Sequence, residues 1–392
     1  MASDVKKTVA AGDAVANQMG YTSAANLTAS VNDNLSSTDE LTQRTARNTA
    51  GDFVSKLTQL VLYQQIDGEY NFDAYRYVNK FENTKIAAGN SKQYQRKILT
   101  GAETYDANAF IPTKVTYPTG DVATISLYDN NGALSKYGYQ FKKGVSLQPQ
   151  KWMTFFTSGK LQEFITDTVN SLNQSYFLFR VSMIEKMLSD MKPTRTLDNG
   201  TKNYTLSDKK IQKNIVGTAS NLLTAFTQEI FPEIQKMRFL SSEYNINLNG
   251  SSTSLNSTSK NKLIMLMNTN TATKLQNGVI ANVFNAQLVK PDNFIDSENI
   301  FQVSKMLNFS TTDESAPVTI QETNLLDEDE IIVLESDAIK SLYWIPGDDE
   351  ANRFGQNMTT QVTLHAWGAL GFIPWGMGFY YTNKNMTNLP TA

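Results

Sequence analysis

The chain has no cysteine, and His365 is its one histidine. The first absence removes disulfide frameworks, thiolate zinc sites and thiol nucleophiles together. The second leaves a Ser-His-Asp triad or a multi-histidine metal site with almost no material. Positive charge is not in excess either: 35 Lys and Arg stand against 38 Asp and Glu, for a net charge of -3. Such a chain lacks the basic surplus of a protein built to grip phosphate backbones, so any contact with nucleic acid should be weak and local. No stretch approaches the roughly 18 uninterrupted apolar residues of a membrane span. Lys6 and Lys7 are not followed by the run of about 7 to 15 apolar residues that marks a secretory signal, so a cytosolic chain is expected. Sequons such as Asn203-Tyr204-Thr205 then reflect an Asn/Thr-rich composition. A phosphate-binding loop of the Gly-x-x-x-x-Gly-Lys-Ser/Thr type is missing, and Gly376-Met377-Gly378 does not continue into a dinucleotide fingerprint. Strict repeats and coiled-coil heptads are also missing.

What is present is a globular composition, with 40% apolar residues over 392 positions, enough for one large core or two modest ones. Residues 1 to 50 are mostly Ala, Ser, Thr, Asn and Asp, with scattered Val and Leu that could bury little surface; an extended or partly helical arm, or a plain tail, is expected. From Asp52 an amphipathic segment carries Phe53, Leu57, Leu60 and Val61 at helical spacing and stops at Asp67-Gly68. Residues 70 to 108 show no clear period. Phe110 to Tyr117 and Val122 to Tyr128 alternate like strands, and Asp129-Asn130-Asn131-Gly132 supplies a turn before Tyr137, Tyr139 and Phe141 return. A long projecting hairpin is the expectation there.

Gly159 to Met191 is the strongest element. Leu161, Phe164, Ile165, Val169, Leu172, Tyr176, Phe179, Met183, Ile184, Met187, Leu188 and Met191 follow the i, i+3, i+4 rule, and Pro193 ends the pattern. The helix should be on the order of 50 Å long. A second helix is expected after Ser207 with Ile211, Ile215, Ala219, Leu222, Leu223 and Phe226 on one face, kinked or ended at Pro232. Residues 244 to 262, around Asn249-Gly250, read as a loop. Leu263 to Met267 suits a buried central strand, followed by a helical piece at Thr271 to Gln276 and a second strand at Ile331 to Leu334. Thr360 to Tyr381 reads as one or two strands, interrupted by Gly and Pro.

Three groups invite a chemical reading. Asp327 to Glu330 and Asp348, Asp349 and Glu350 could hold a hard cation, but consecutive acids point in different directions, so solvated loops are expected. His365, between Leu364 and Ala366, is expected to be a structural residue. Lys136, Lys142 and Lys143, interleaved with Tyr137, Tyr139 and Phe141, resemble a small single-strand-binding patch, for which a solvated or intersubunit face is the plainer reading. No catalytic, cofactor-binding or metal-binding residue is assigned, and no enzymatic activity is expected. A glycoside hydrolase would need two acids across a cleft, and no such pair is identifiable.

The order of elements resembles that of tailed-bacteriophage major capsid proteins of the Hong Kong 97-like fold, and in particular those of small short-tailed phages of the phi-twenty-nine type. The likeness is carried by Asp52-Phe53-Val54-Ser55-Lys56-Leu57, by Tyr137-Gly138-Tyr139 running into Trp152, and by Phe164-Ile165-Thr166-Asp167-Thr168-Val169-Asn170. Leu263 to Asn268, Asn308-Phe309, Ile331 to Asp337 and His365-Ala366-Trp367 continue it in the same order. The resemblance implies an α+β fold with an N-terminal arm at 1–70 and an extended loop with a preceding insertion at 71–150. A peripheral-domain spine helix at 151–193, an axial domain at 194–345, and a return strand with C-terminus at 346–392 would follow. It implies a shell subunit of the virion, assembled in the bacterial cytoplasm around double-stranded DNA. The implied partners are copies of itself in hexamers and pentamers, portal protein, scaffolding protein and weakly held DNA, with no membrane. The phi-twenty-nine type carries an immunoglobulin-like domain after the return strand, and this sequence has only Thr382 to Ala392 there. Some members of the fold crosslink through a Lys–Asn isopeptide bond, and no motif transfers that here. Another virion component, a fibre or tail protein, is the alternative.

Overall fold

A computed structural model describes residues 2–65, 72–87, 91–97, 120–148, 153–156, 158, 160–198, 201–205, 211–220, 222–246, 254–281, 295, 297–303, 305–308, 319–344, 351–354 and 359–383. The chain begins with three helices, α1 (Ala2–Gln18), α2 (Ala24–Leu35) and α3 (Glu40–Gln65). The Ser23 side chain caps α2 by accepting from the Asn26 N–H at 3.2 Å, which satisfies one of the helix's orphan donors. These helices pack on one another and on the long helix that follows, burying Ala11, Val15, Ala16, Leu27, Val31, Ala46, Ala50 and Phe53. The expectation that this region buries little is thereby corrected. Alanine has the highest helix propensity, and its small side chain lets backbones approach, so a few large residues suffice to close the contact. The amphipathic segment read from Asp52 is the second half of α3; Phe53, Leu57 and Val61 are buried, and Asp67-Gly68 lies outside the described residues.

A 3₁₀ helix at Asp73–Lys80 leads into β1 (Glu82–Lys85), β2 (Lys92–Lys97), β3 (Gly120–Ile125) and β4 (Gly138–Leu147). Here the expected hairpin is corrected. The turn exists: Gly132 has φ +78° and its N–H reaches the Asp129 carbonyl at 3.1 Å. Yet β3 pairs with β2, while β4 joins a different sheet. The strand expected at Phe110 to Tyr117 falls outside the described residues.

The long helix α4 (Leu161–Met191) has 31 residues, about 46 Å at 1.5 Å per residue. Leu161, Ile165, Val169, Leu172, Tyr176, Ile184, Met187, Leu188 and Met191 of the expected stripe are buried, while Phe164, Phe179 and Met183 are half-buried. Phe177 and Val181 are buried too, on a flank that a one-sided stripe leaves open; Phe177 stacks on Phe72 with ring centroids 6.0 Å apart. The chain turns extended at Lys192, before Pro193.

After α4 come the β5 (Thr194–Asp198) and β6 (Thr201–Thr205) pair and β7 (Lys213–Val216). The second helix differs from expectation. Ile215 lies in β7, and the helix, α5, runs over 222–236. It continues past Pro232 because a π-helical turn at Ala225–Ile230 precedes it. A widened turn absorbs the carbonyl left without its usual N–H donor. Then follow β8 (Leu263–Met267), α6 (Thr269–Ala281), β9 (Ile300–Gln302), β10 (Lys305–Asn308), β11 (Thr319–Asn324), β12 (Glu330–Glu335), β13 (Ile339–Trp344), β14 (Ala351–Phe354), β15 (Thr359–Phe372) and β16 (Gly378–Thr382).

Two five-stranded sheets organise these strands. In the first, β15 is flanked by β4 on one side and by β13 and β14 on the other, with β1 parallel to β13. Its inner face (Phe141, Leu364, Ala366, Leu370) packs on α4, and its outer face (Leu342, Ala369) meets Ala123 and Ile125 of β3. The second sheet runs β7-β16-β12-β8-β9. Alternate residues of β8 and β12 enter two different cores, Ile264, Leu266 and Ile332 in one and Met265, Met267 and Val333 in the other. A strand buried on both faces needs a continuous apolar run rather than alternation, which is why Leu263 to Met267 reads as it does.

Candidate functional site

The β2/β3 pair rests on the first sheet through an apolar contact and a polar seat. Ile125 fits because Gly371 has no side chain: a Cβ there would stand 2.6 Å from Ile125 Cγ1. The seat is a chain of charges. Lys340 Nζ donates to Glu82 Oε2 at 2.5 Å and to Asp337 Oδ1 at 2.7 Å, Lys262 reaches Asp337 at 2.8 Å, and Lys92 reaches Glu82 at 3.2 Å. Burial pushes the Glu82 carboxyl up, but hydrogen bonds from Lys340, Thr84 and Lys92 outweigh it and hold it down at about 2. Ser254 donates to Asp121 at 2.5 Å, tying β3 to the loop before β8. Clefts of about 490 and 460 Å³ open on either side of this pair, one against Tyr137, Asp190 and Phe372, the other against Lys262, Asp337 and Trp375.

Beneath the first sheet, α4 carries buried polar groups. Glu185 is fully buried; its Oε1 accepts from the Tyr77 hydroxyl at 3.1 Å and its Oε2 from the Leu307 N–H at 2.6 Å. Burial lifts this carboxyl to about 7, against the lowering effect of those two donors. The Tyr139 and Tyr176 hydroxyls lie 2.9 Å apart, and both are pushed up by burial, with Arg180 opposing the shift.

The second sheet places its acids at strand ends. Glu330, 1% exposed, meets Lys192 Nζ at 2.5 Å and accepts from the Tyr380 hydroxyl at 2.5 Å. Glu335 accepts from Thr258 at 3.2 Å and the Met377 N–H at 3.3 Å, and burial raises its carboxyl. The acidic run is therefore not a solvated loop throughout: Asp329 and Glu330 are buried, and Glu328 pairs with Lys274 at 2.8 Å. The register explains it, since β12 begins at Glu330. Asp348, Asp349 and Glu350 lie outside the described residues.

In the basic-aromatic stretch the residue types part, with Lys142 exposed, in keeping with the plainer reading of a solvated face, and the aromatics turned inward. Tyr139 and Phe141 face α4, with Phe141 5.4 Å from Tyr176 and 5.2 Å from Phe179, so neither offers a stacking surface. Lys136 pairs with Asp190 at 3.0 Å. His365, half-buried, stands opposite Lys142 on the outer face. Among the described residues no group of three His, Cys, Asp or Glu is placed to hold a metal ion, and no helix is long and apolar enough to cross a membrane. Sequence reasoning missed Arg180 and Glu185. A signal was there for the first, because Tyr176, Arg180 and Ile184 follow at i+4 along the apolar strip.

A helical N-terminal region, a two-stranded pair seated on a sheet, a long helix beneath that sheet and a second, doubly covered sheet make up the α+β Hong Kong 97-like fold of phage capsid proteins. The chain is similar to one in the capsid structure of Staphylococcus phage Andhra, with a TM-score of 0.50, 13% identity, and coverage of 81% of this chain and 87% of that one. It is also similar to a chain in the structure of the head fiber and inner core protein gp22 of native bacteriophage P68 (TM-score 0.47, 11% identity, 81% and 88% covered). A third likeness is to the asymmetric unit of the bacteriophage PhiM1 mature capsid (TM-score 0.42, 10% identity, 83% and 90% covered). No protein-family profile and no curated protein matches the sequence.

Proposed function

We propose that this chain is the major capsid protein of a tailed bacteriophage, a subunit that assembles with copies of itself into the icosahedral head enclosing double-stranded DNA. The observation that carries the reading is the fold shared with the Andhra capsid chain over 81% of this chain and 87% of that one. Hexamers and pentamers of the chain would tile the shell, with portal and scaffolding proteins as partners and the virion as its place. On this reading residues 1–70 are the arm, 71–150 the extended loop with the β2/β3 pair at its base, 151–193 the spine, 194–345 the axial domain, and 346–392 the return strand and C-terminus. The chemistry is association, so no catalytic, cofactor or metal-binding residue is needed. A net charge of -3 suits a wall that must let packaged DNA slide.

Electron microscopy of the purified protein tests this. Closed shells are the expected outcome. Fibres would overturn the reading, as would subunits that stay monomeric when co-expressed with the other head proteins of their phage.

A further inference from the structure

The ribbon formed by β10 and β11 belongs to neither five-stranded sheet. β10 has a strand on one side only, and an open strand edge presents N–H and C=O groups that need partners. At Leu307 both are taken by side chains of α4: the N–H donates to Glu185 Oε2 at 2.6 Å, and the carbonyl accepts from the Ser182 hydroxyl at 3.0 Å. Ser182 and Glu185 are three residues apart and so share a helix face. The ladder is irregular just before Leu307, where two steps along β10, from Lys305 opposite Asn324 to Leu307 opposite Ile320, face four along β11. Such a bulge bends the strand and interrupts its pairing. A third hold comes where the ribbon ends, as Lys192 Nζ donates to the Leu325 carbonyl at 2.8 Å.

These three docking groups differ in charge. Ser182 is neutral, and Lys192 has Glu330 as its counter-ion. Glu185 is fully buried and has no ion pair among the described residues. The titratable groups that feel its charge are Tyr75 and Tyr77 of the 3₁₀ helix, whose own protons are held by burial first and by this acid second. Lys305 of β10 and Lys186 of α4 are exposed, Asp73 and Arg76 pair with each other in solvent, and Arg180 acts on Tyr139 and Tyr176 instead.

We propose that Glu185 is a proton-operated latch on the β10/β11 ribbon: with its proton on, the ribbon stays docked on α4, and with its proton off, the population of a form in which the ribbon has lifted from the helix rises. A protonated carboxyl accepts from the Leu307 N–H through one oxygen and shares its proton with the Tyr77 hydroxyl through the other, so no charge is buried. The ionised carboxyl keeps both hydrogen bonds but carries a charge sealed from solvent with no cation, a cost relieved when its cover opens. Of the covering elements, α4 is held between the first sheet and α1 and α3. The 3₁₀ helix inserts the buried Tyr77 against Phe301, with ring centroids 6.1 Å apart, and leads into β1 of the first sheet. The ribbon has no such anchorage in a sheet, which makes it the part that moves. Burial lifts the carboxyl from 4.5 to about 7. Because the docked-state value is the raised one, docking is strongest below about pH 4.5 and weakens as pH rises through about 7.

The test is hydrogen exchange of the full chain between pH 5 and pH 7.5, read as protection factors so that the intrinsic pH dependence of exchange cancels. The expected result is a fall of about tenfold or more in the protection of amides at 305–308 and 319–324 across that range, with β8 and β12 unchanged. Glu185→Gln, which keeps a neutral acceptor for the Leu307 N–H, should hold the ribbon's protection level at every pH. Ser182→Ala, which removes the hold on the Leu307 carbonyl and leaves the acid in place, should lower ribbon protection throughout and keep the wild-type slope. A flat wild-type profile overturns the latch, as does a Gln variant with the wild-type slope. Loss shared equally by β8 and β12 makes Glu185 a determinant of the whole fold and overturns it too. Loss confined to Asp73–Lys80 assigns the movement to the 3₁₀ helix, with the same consequence. Should the Gln variant fail to fold, the wild-type profile and Ser182→Ala decide: ribbon protection unchanged by the Ala substitution shows that α4 does not hold the ribbon at Leu307.

Discussion

The sheet centred on β12 and the helix α4 both bury ionisable groups, but at different places. In the sheet, Glu330 and Glu335 stand at the two ends of β12, and the residues between them, Ile331 to Leu334, are wholly apolar. Each acid is answered from within the chain, Glu330 by Lys192 and Tyr380, Glu335 by Thr258 and Met377. In α4 the charges lie at mid-helix. Glu185 has donors but no cation, and Arg180 has no acid among the described residues. At Glu330 the sheet meets its buried acid with a cation from within the subunit, whereas Glu185 in the helix, like Glu335 at the far end of β12, has neutral donors only and a carboxyl raised by burial.

The sharpest way to break that contrast is to make the sheet incomplete. Lys192→Met leaves the nearly inaccessible Glu330 side chain with the Tyr380 hydroxyl and the Asp327 N–H but no cation. Removing one partner of a buried pair costs about 3–5 kcal/mol. Urea unfolding at neutral pH should show that loss. An unchanged midpoint would mean that the pair contributes nothing and that the two regions are alike.

A somewhat smaller effect should follow from making the helix complete. Glu185 has its carboxyl lifted from 4.5 to about 7 by burial. The folded state therefore holds the proton more tightly than the unfolded one. Stability from this group is fully present below about pH 4.5 and is lost as pH rises through about 7. At about 1.4 kcal/mol per pH unit the window spans on the order of 3 kcal/mol. Glu185→Gln can still accept from the Leu307 N–H and donate to the Tyr77 hydroxyl. Its unfolding midpoint should be flatter with pH than wild type and higher at pH 8. Parallel pH profiles for the two proteins would show that Glu185 does not set this dependence.

The seat of the β2/β3 pair falls between the two cases, because its ion pairs are present but half in water. The Glu82 side chain is 36% exposed, so Lys340→Met should cost about 1 kcal/mol. Asp337 keeps Lys262 and Glu82 keeps Lys92. Hydrogen exchange should report it first, as faster exchange of amides in Lys92–Lys97 with α4 unaffected. Equal acceleration in both would show that the pair is part of the global core.

What can be read in the sequence tracks how local the cause is. α4, β8 and β12 are legible because their burial imposes a period or an unbroken apolar run on neighbouring residues. The N-terminal helices are not, since Ala11, Ala16, Ala46 and Ala50 make contact by closeness and leave no strong stripe. The turn at Asp129 to Gly132 is legible too, yet the strands around it pair with β2 and β15, partners set by non-local contacts. Arg180 lies in plain view on a strip of apolar neighbours, but a period in hydrophobicity does not say which polar residue is carried inside with it.

The smallest expected effect is at His365, on the side of the first sheet turned away from α4. Its strand neighbours Leu364 and Ala366 point inward to the helix, and its cross-strand partner is Lys142. Half-buried and outside both the charged seat and the helix strip, it should tolerate a neutral side chain of similar polarity. His365→Gln is expected to move the urea midpoint by less than about 0.5 kcal/mol and to leave shells closed in electron micrographs. This variant is the control for the others, since it alters a ring nitrogen pair without touching either class of buried charge. Shells lost from a normally folded His365→Gln subunit would move the functional centre of the chain from the helix strip to the outer face of the sheet.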